Sequence, residues 1–361
     1  MNFTRRTALV GIAGAGILPF TPGGTKNMSL LIRNASPSDI PAIVALQLAD
    51  AKLRARLNPR LWALATNASE RMIAALKTIS EPYTGATRHH WIVAERGGTV
   101  VGVMHGMNIP TPGIYEERGG KYAGVIADDS HVPADTKIAN ALVKAVEDAL
   151  LEADAGVLVA TSPADWTARR EFFSTAGYVP TTSYLLNAQP ARLPKWDSSV
   201  RSATEADVDG IVKLSALHRS GLEQANPDFW KIHPDADRRF DAWMRISLGM
   251  KDRSMFVSGG DGQVDGFVIA QPASLLHLTA AHDSSKLGLI DDFCALAFNA
   301  PEMARDGGGE PSSLLSAAES SFRARGLDAA LAISPVRMAE KVKVLNAAGY
   351  QAVNLWMAKR M

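Results

Sequence analysis

Two pairs of adjacent acids, Asp128-Asp129 and Asp291-Asp292, interrupt otherwise apolar stretches of this chain. A carboxylate in such a stretch can accept a proton from an amine or hold a cation. It can equally be a strand-edge charge or make a structural hydrogen bond. The second pair is followed by Phe293-Cys294-Ala295-Leu296, then by Gly307-Gly308-Gly309, Pro311 and Ser312-Ser313. A glycine-rich loop opening onto a helix offers backbone N–H groups to a phosphate, with Ser312 and Ser313 as added hydroxyl donors; an ordinary connecting loop is the competing reading. Cys294 is the only cysteine, which excludes an internal disulfide, and its surroundings are those of a small buried side chain. No Cys/His spacing resembles a zinc site, so no metal is expected. His131 stands alone, His89-His90 reads as a solvated loop, and Trp62 and Trp230 read as core packing.

These residues sit at matching places in a chain that repeats itself. Arg33, Asp39, Ile43-Val44, Asn58-Pro59 and Trp62 match Arg201, Asp207, Ile211-Val212, Asn226-Pro227 and Trp230, 168 positions on. Ala176-Gly177-Tyr178 matches Ala348-Gly349-Tyr350, 172 positions on. So small a change in offset across so long a match means two copies of one fold. Each copy reads as a short strand, a helix capped by Ser36 or Thr204, a second helix, a hairpin and the acid-bearing strand. A helix, a strand, a further helix, the Gly-Tyr pair and a closing strand follow. The fold class is therefore α/β, two tandem domains at 28–187 and 199–361, each a mixed sheet flanked by helices, joined by a proline-bearing linker at 188–198. Strand alternation predicts that only one acid of each pair faces a cleft.

Composition narrows the partners. The chain is 47% hydrophobic and 21% charged with a formal net charge of +1, which suits globular domains and offers no basic surface for nucleic acid. At the N-terminus, Arg5-Arg6 precedes an apolar run from Ala8 to Phe20 that is too short to span a membrane. Residues 1–27 resemble a twin-arginine export signal, and Met28 reads equally well as the natural start. No membrane association is expected unless that segment is a signal.

The order of elements resembles the GCN5-related N-acetyltransferase (GNAT) superfamily over residues 30–361. The resemblance implies a fourth strand that parts from the fifth to admit the pantetheine arm of acetyl-CoA, a co-substrate. It implies a loop and helix start that take the pyrophosphate, and a carboxylate that accepts the amine proton. Carried onto this chain, the coenzyme A residues are Cys294, Ala295, Leu296, Gly307, Gly308, Gly309, Ser312 and Ser313, and the catalytic acids are Asp291 and Asp292. The expected activity is acetyl or acyl transfer to a small amine in the second copy, in the cytoplasm where the donor is found; export is the alternative location. The chain also departs from the family. Lys137 stands where the first copy's loop should carry glycine, and Phe173 and Leu345 stand where the family has a proton-donating tyrosine. A non-catalytic protein that keeps the fold to bind CoA, another ligand or a partner is the other reading.

Overall fold

The same capping chemistry starts both copies. Asp39 accepts the Ser36 N–H at 2.7 Å and a fork from Arg33 at 2.7 and 2.9 Å; Asp207 does the same for Thr204 at 2.8 Å and Arg201 at 2.7 and 2.6 Å. Hydrogen bonding from Arg201 holds the Asp207 carboxyl down to about 2. The computed structural model describes residues 29–80, 85–117, 120–190, 199–227, 229–260, 263–274, 278–299 and 311–359.

The first copy comprises β1 (Leu30–Asn34), α1 (Ile40–Leu57), α2 (Ala68–Ala75), β2 (Arg88–Arg96), β3 (Thr99–Pro110), β4 (Tyr122–Ile126), α3 (Thr136–Glu152), β5 (Ala155–Pro163), α4 (Thr167–Thr175) and β6 (Tyr178–Asn187). The second comprises β7 (Val200–Ser202), α5 (Val208–Ala225), α6 (Ala236–Leu248), β8 (Ser254–Ser258), β9 (Gly266–Pro272), β10 (Leu287–Ala295), α7 (Leu296–Asn299), α8 (Pro311–Ala324), β11 (Ala329–Pro335), α9 (Ala339–Ala347) and β12 (Gln351–Lys359). The helices α1, α2, α5 and α6 cover one face of the sheet, and α3, α4, α8 and α9 the other. Gly177 and Gly349 turn the chain out of α4 and α9 at φ 92° and 88°, a left-handed conformation that explains glycine before the repeated tyrosine. Among the described residues no helix is long and apolar enough to cross a membrane. His89 and His90 are not in a loop. They lie half-buried in β2, where His89 Nδ1 is 2.9 Å from His105 Nε2.

The closing strands change places. The sheet runs β1-β2-β3-β4-β5-β12-β6-β11-β10-β9-β8-β7, so the last strand of each copy lies beside the other copy's fifth strand. One glutamate per copy fastens the exchange. Glu147 accepts from Tyr178 of its own copy at 2.9 Å and from Lys359 of the other at 2.9 Å. Glu319 accepts from Tyr350 at 2.8 Å and, more weakly, from Asn187 at 3.5 Å. These residues correspond pairwise at one offset of 172. A cut at the join separates the chain but not the sheet.

Two outcomes follow. Lys359→Met leaves Glu147 without its cation and should cost about 1–2 kcal/mol in urea unfolding. Halves expressed separately should fail to unfold cooperatively, whereas co-expressed halves should co-purify in equal amounts.

Candidate active site

Strand β10 leaves its neighbour midway. It pairs with β11 only from Leu287 to Ile290 and continues along β9 alone to Ala295. A bulge falls between Ile290 and Asp292, and it breaks the alternation expected from sequence: both Asp291 and Asp292 line the cavity that opens there. The cavity holds about 580 Å³ and is walled by α5, α6, β9, β10, β11, Thr182 of β6 and Lys341 of α9. Its roof comes from the first copy, whose 112–115 turn is bonded to the second copy through Glu116 N to Lys231 O (2.8 Å) and His233 N to Ile114 O (3.0 Å).

The arginines around the cavity are accounted for. Arg253 pairs with Asp291 at 2.8 Å, Arg219 with Asp237 and Ser215, and Arg239 donates to Gly113 O at 2.7 Å. What remains is Asp292 and Lys341. Asp292 makes no ion pair among the described residues; it accepts the Phe293 backbone N–H and the Cys294 thiol, the latter at 3.2 Å. Burial pushes its carboxyl up. Lys341 is 3% exposed, and among the described residues its ammonium makes no hydrogen bond or ion pair; the Phe293 ring lies 5.8 Å away. Burial pushes this ammonium down, against the pull of Cys294 and Asp292. Thr182 Oγ1 and the Nε atoms of Arg219 and Arg253 also lie buried at the cavity wall without partners. Such orphans are few in folded proteins, and each needs an explanation such as a bound group or an ordered water.

The first copy shows what a closed version looks like. Arg169, the counterpart of Lys341, donates to Ser130 O at 2.6 Å, Ala127 O at 3.1 Å and Thr161 O at 3.2 Å, tying the strands together. Asn354, the counterpart of Thr182, donates to Asp128 at 3.0 Å, and Arg54 fills further space, bonded to Asp128 O at 2.7 Å and His282 at 3.2 Å. The space left is about 10 Å³. Burial opposes the charge on both Asp129 and Asp292. At Asp129 the neighbouring His105, 2.8 Å away, overcomes it and holds the carboxyl below its ordinary range.

The residues expected from sequence fall out as follows. Cys294 and Ala295 are fully buried in β10, and the Leu296 N–H is committed to Asp265 O at 2.9 Å. Ser312 and Ser313 form the first turn of α8, while Gly307, Gly308 and Gly309 lie outside the described residues, as do 1–27. Phe173 and Leu345 are fully buried apolar groups. Trp62 is core, but Trp230 lines the cavity, contrary to the packing role expected of both. His218, Asp292 and Cys294 were not grouped by spacing because α5 supplies the first and β10 the others. Their ligand atoms lie within 4.8 Å of one another, a donor set that could hold a cation, although the positive charges of Lys341 and Arg219 beside it work against one. Lys341 carried a sequence signal that was missed, a basic residue repeated at the offset of 172.

No protein-family model matches the chain, and no curated protein matches it. Solved structures do. A GCN5-related N-acetyltransferase from Sphaerobacter thermophilus is similar over 91% of this chain and 94% of its own, at 13% identity and a TM-score of 0.56. The fold is the GNAT fold. A tandem GNAT protein from the clavulanic acid biosynthesis pathway (13% identity, 91% and 97% coverage, TM-score 0.47) and a GNAT-family acetyltransferase from Colwellia psychrerythraea (10%, 91% and 98%, 0.45) are also similar. Within this fold, the parting of β10 from β11 is the feature that the resemblance led one to expect.

The two basic residues make opposite predictions. Arg169→Met strands three buried carbonyls and should cost about 3 kcal/mol or more. Lys341→Met removes a buried ammonium that has no partner and should be neutral or stabilising by about 1–3 kcal/mol. Urea midpoints of the two variants decide.

Proposed function

We propose that the protein is an acyl-CoA-dependent N-acyltransferase acting on a small amine, with its chemistry in the second copy. The observation that carries this reading is a pair of opposite charges, half-buried Asp292 and buried Lys341, that stand outside any ion pair among the described residues where β10 parts from β11. An acyl-CoA supplies the activated acyl group. The residues present suit such a molecule: the parted strand leaves backbone on one side of β10 without a strand partner among the described residues, and α8 begins at Pro311 with the hydroxyls of Ser312 and Ser313 in its first turn. Cys294 and Ala295 would hold the arm through their backbone.

Asp292 accepts the proton of the attacking amine, and its raised affinity for protons suits it to that task. Lys341 takes the place of the missing tyrosine. Its ammonium, weakened by burial, gives a proton to the leaving sulfur and recovers one as Asp292 is deprotonated again. The paired arginines hold the cavity near electrical balance. A donor of this kind places the protein in the cytoplasm. The fully buried Leu345 at the family's acid position favours a second reading, in which the same cavity holds a ligand without turnover.

Free thiol release in a broad amine screen tests the proposal. Asp292→Asn should lower kcat by about 10²- to 10³-fold with little change in the KM for acyl-CoA, while Asp129→Asn should leave kcat within about twofold. The pH profile carries a further sign. Activity needs Asp292 ionised, so it rises with pH through a carboxyl lying above the ordinary range. It needs Lys341 protonated, so it falls through an ammonium lying below the ordinary lysine range. Lys341→Met should lower kcat and erase the alkaline limb. Binding of acyl-CoA without thiol release from any amine would favour the second reading.

A further inference from the structure

The cavity that holds Asp292 has an annex with hardly any polar lining. Beyond Pro112, Tyr115 and Trp230, which wall both, lies a space of about 180 Å³ bounded by Tyr122, Val157, Val159, Phe229 and Trp356. Its wall is aromatic and continuous: Tyr115 stands 5.1 Å from Trp230, and Phe229 meets Trp230 edge-on at 4.5 Å. The internal repeat shows that this space is not an unavoidable packing fault. Leu61 and Trp62, the counterparts of Phe229 and Trp230, are each 1% exposed and pack solidly against Leu331 and Tyr184, the counterparts of Val159 and Trp356. The closed place and the open place coincide with the closed cavity and the open one. Both departures from symmetry occur on one side of the molecule, and they share a wall.

We infer that the annex binds the apolar group of the acceptor, so that the substrate is a primary amine bearing an alkyl chain or aromatic ring whose nitrogen reaches Asp292. The inference rests on the acyltransfer reading for the fate of that nitrogen, though not for its binding. The size fits: an apolar cavity of about 150 Å³ takes up benzene. The annex is also built from both copies, since β4, β5 and Tyr115 come from the first and Phe229, Trp230 and Trp356 from the second. The closed first copy thus contributes specificity to the open second one.

Calorimetry on the full chain without acyl-CoA, with n-alkylamines from ethylamine to hexylamine and with phenethylamine, tests this. Each methylene buried is worth about 0.8 kcal/mol, so affinity should tighten about fourfold per carbon until the annex is full. Val157→Trp, which fills the annex, should flatten that dependence and leave ethylamine unchanged. Phe229→Ala, on the connection after α5, should weaken hexylamine and phenethylamine about tenfold and ethylamine little. A flat dependence in the unaltered chain, or a slope that survives both variants, would overturn the inference even if thiol release occurs with ethylamine. A steep slope that both variants remove, with no thiol release from any amine, would support the annex and sink the acyltransfer reading instead.

Discussion

Everything in this molecule hangs on the reciprocal exchange of its closing strands. Strand β12 completes the first copy's sheet and β6 the second's, fixed by Glu147 on Lys359 and Glu319 on Asn187. Burial pushes the Glu319 carboxyl up, so its hydrogen bonds from Tyr350 and Asn187 offset a real desolvation cost. The exchange makes each copy's cleft partly the property of the other. Asn354 reaches Asp128 and Thr182 reaches the second cavity only because their strands have crossed over.

Within that near-symmetric frame, side-chain length decides which cleft is open. Where the first copy has Gln47, Arg54, Arg169 and Asn354, the second has Ser215, Leu222, Lys341 and Thr182. Every one of these changes is a shortening, and together they separate about 10 Å³ from about 580 Å³. Arg219, which replaces Ala51, is held on Ser215 and Asp237. In the longer set Gln47, Arg54 and Arg169 all donate hydrogen bonds to neighbouring backbone, and the set fills the space. The shorter set leaves an ammonium and a hydroxyl without partners, a cost to stability of the kind that binding sites carry.

Much of the fold was legible in the sequence because it depends on local periodicity and on the repeat. The Gly-Tyr turns, the helix starts at Ser36 and Thr204 and the second acid-bearing strand lie where their spacing placed them, whereas Asp128 and Asp129 fall in a turn past the end of β4. The strand exchange was not legible, since pairing partners far apart in the chain leave the hydrophobic pattern of β6 and β12 unchanged. Of the site, Asp291 and Asp292 could be named, but not that a bulge turns both into the cavity. Tyr115 and Trp230 meet only through tertiary packing between copies, which no spacing reports. Lys341 was legible in principle: a basic residue repeated at one helical position beside the Gly-Tyr turn has either to be satisfied or to act, and alignment with Arg169 poses that question.

Hydrogen exchange of the full chain, with and without CoA, tests the asymmetry most directly. The account predicts that CoA slows exchange across 287–299 and the start of α8, leaving 122–131 and 155–163 unchanged. Protection that appears at 122–131 and not at 287–299 would contradict it.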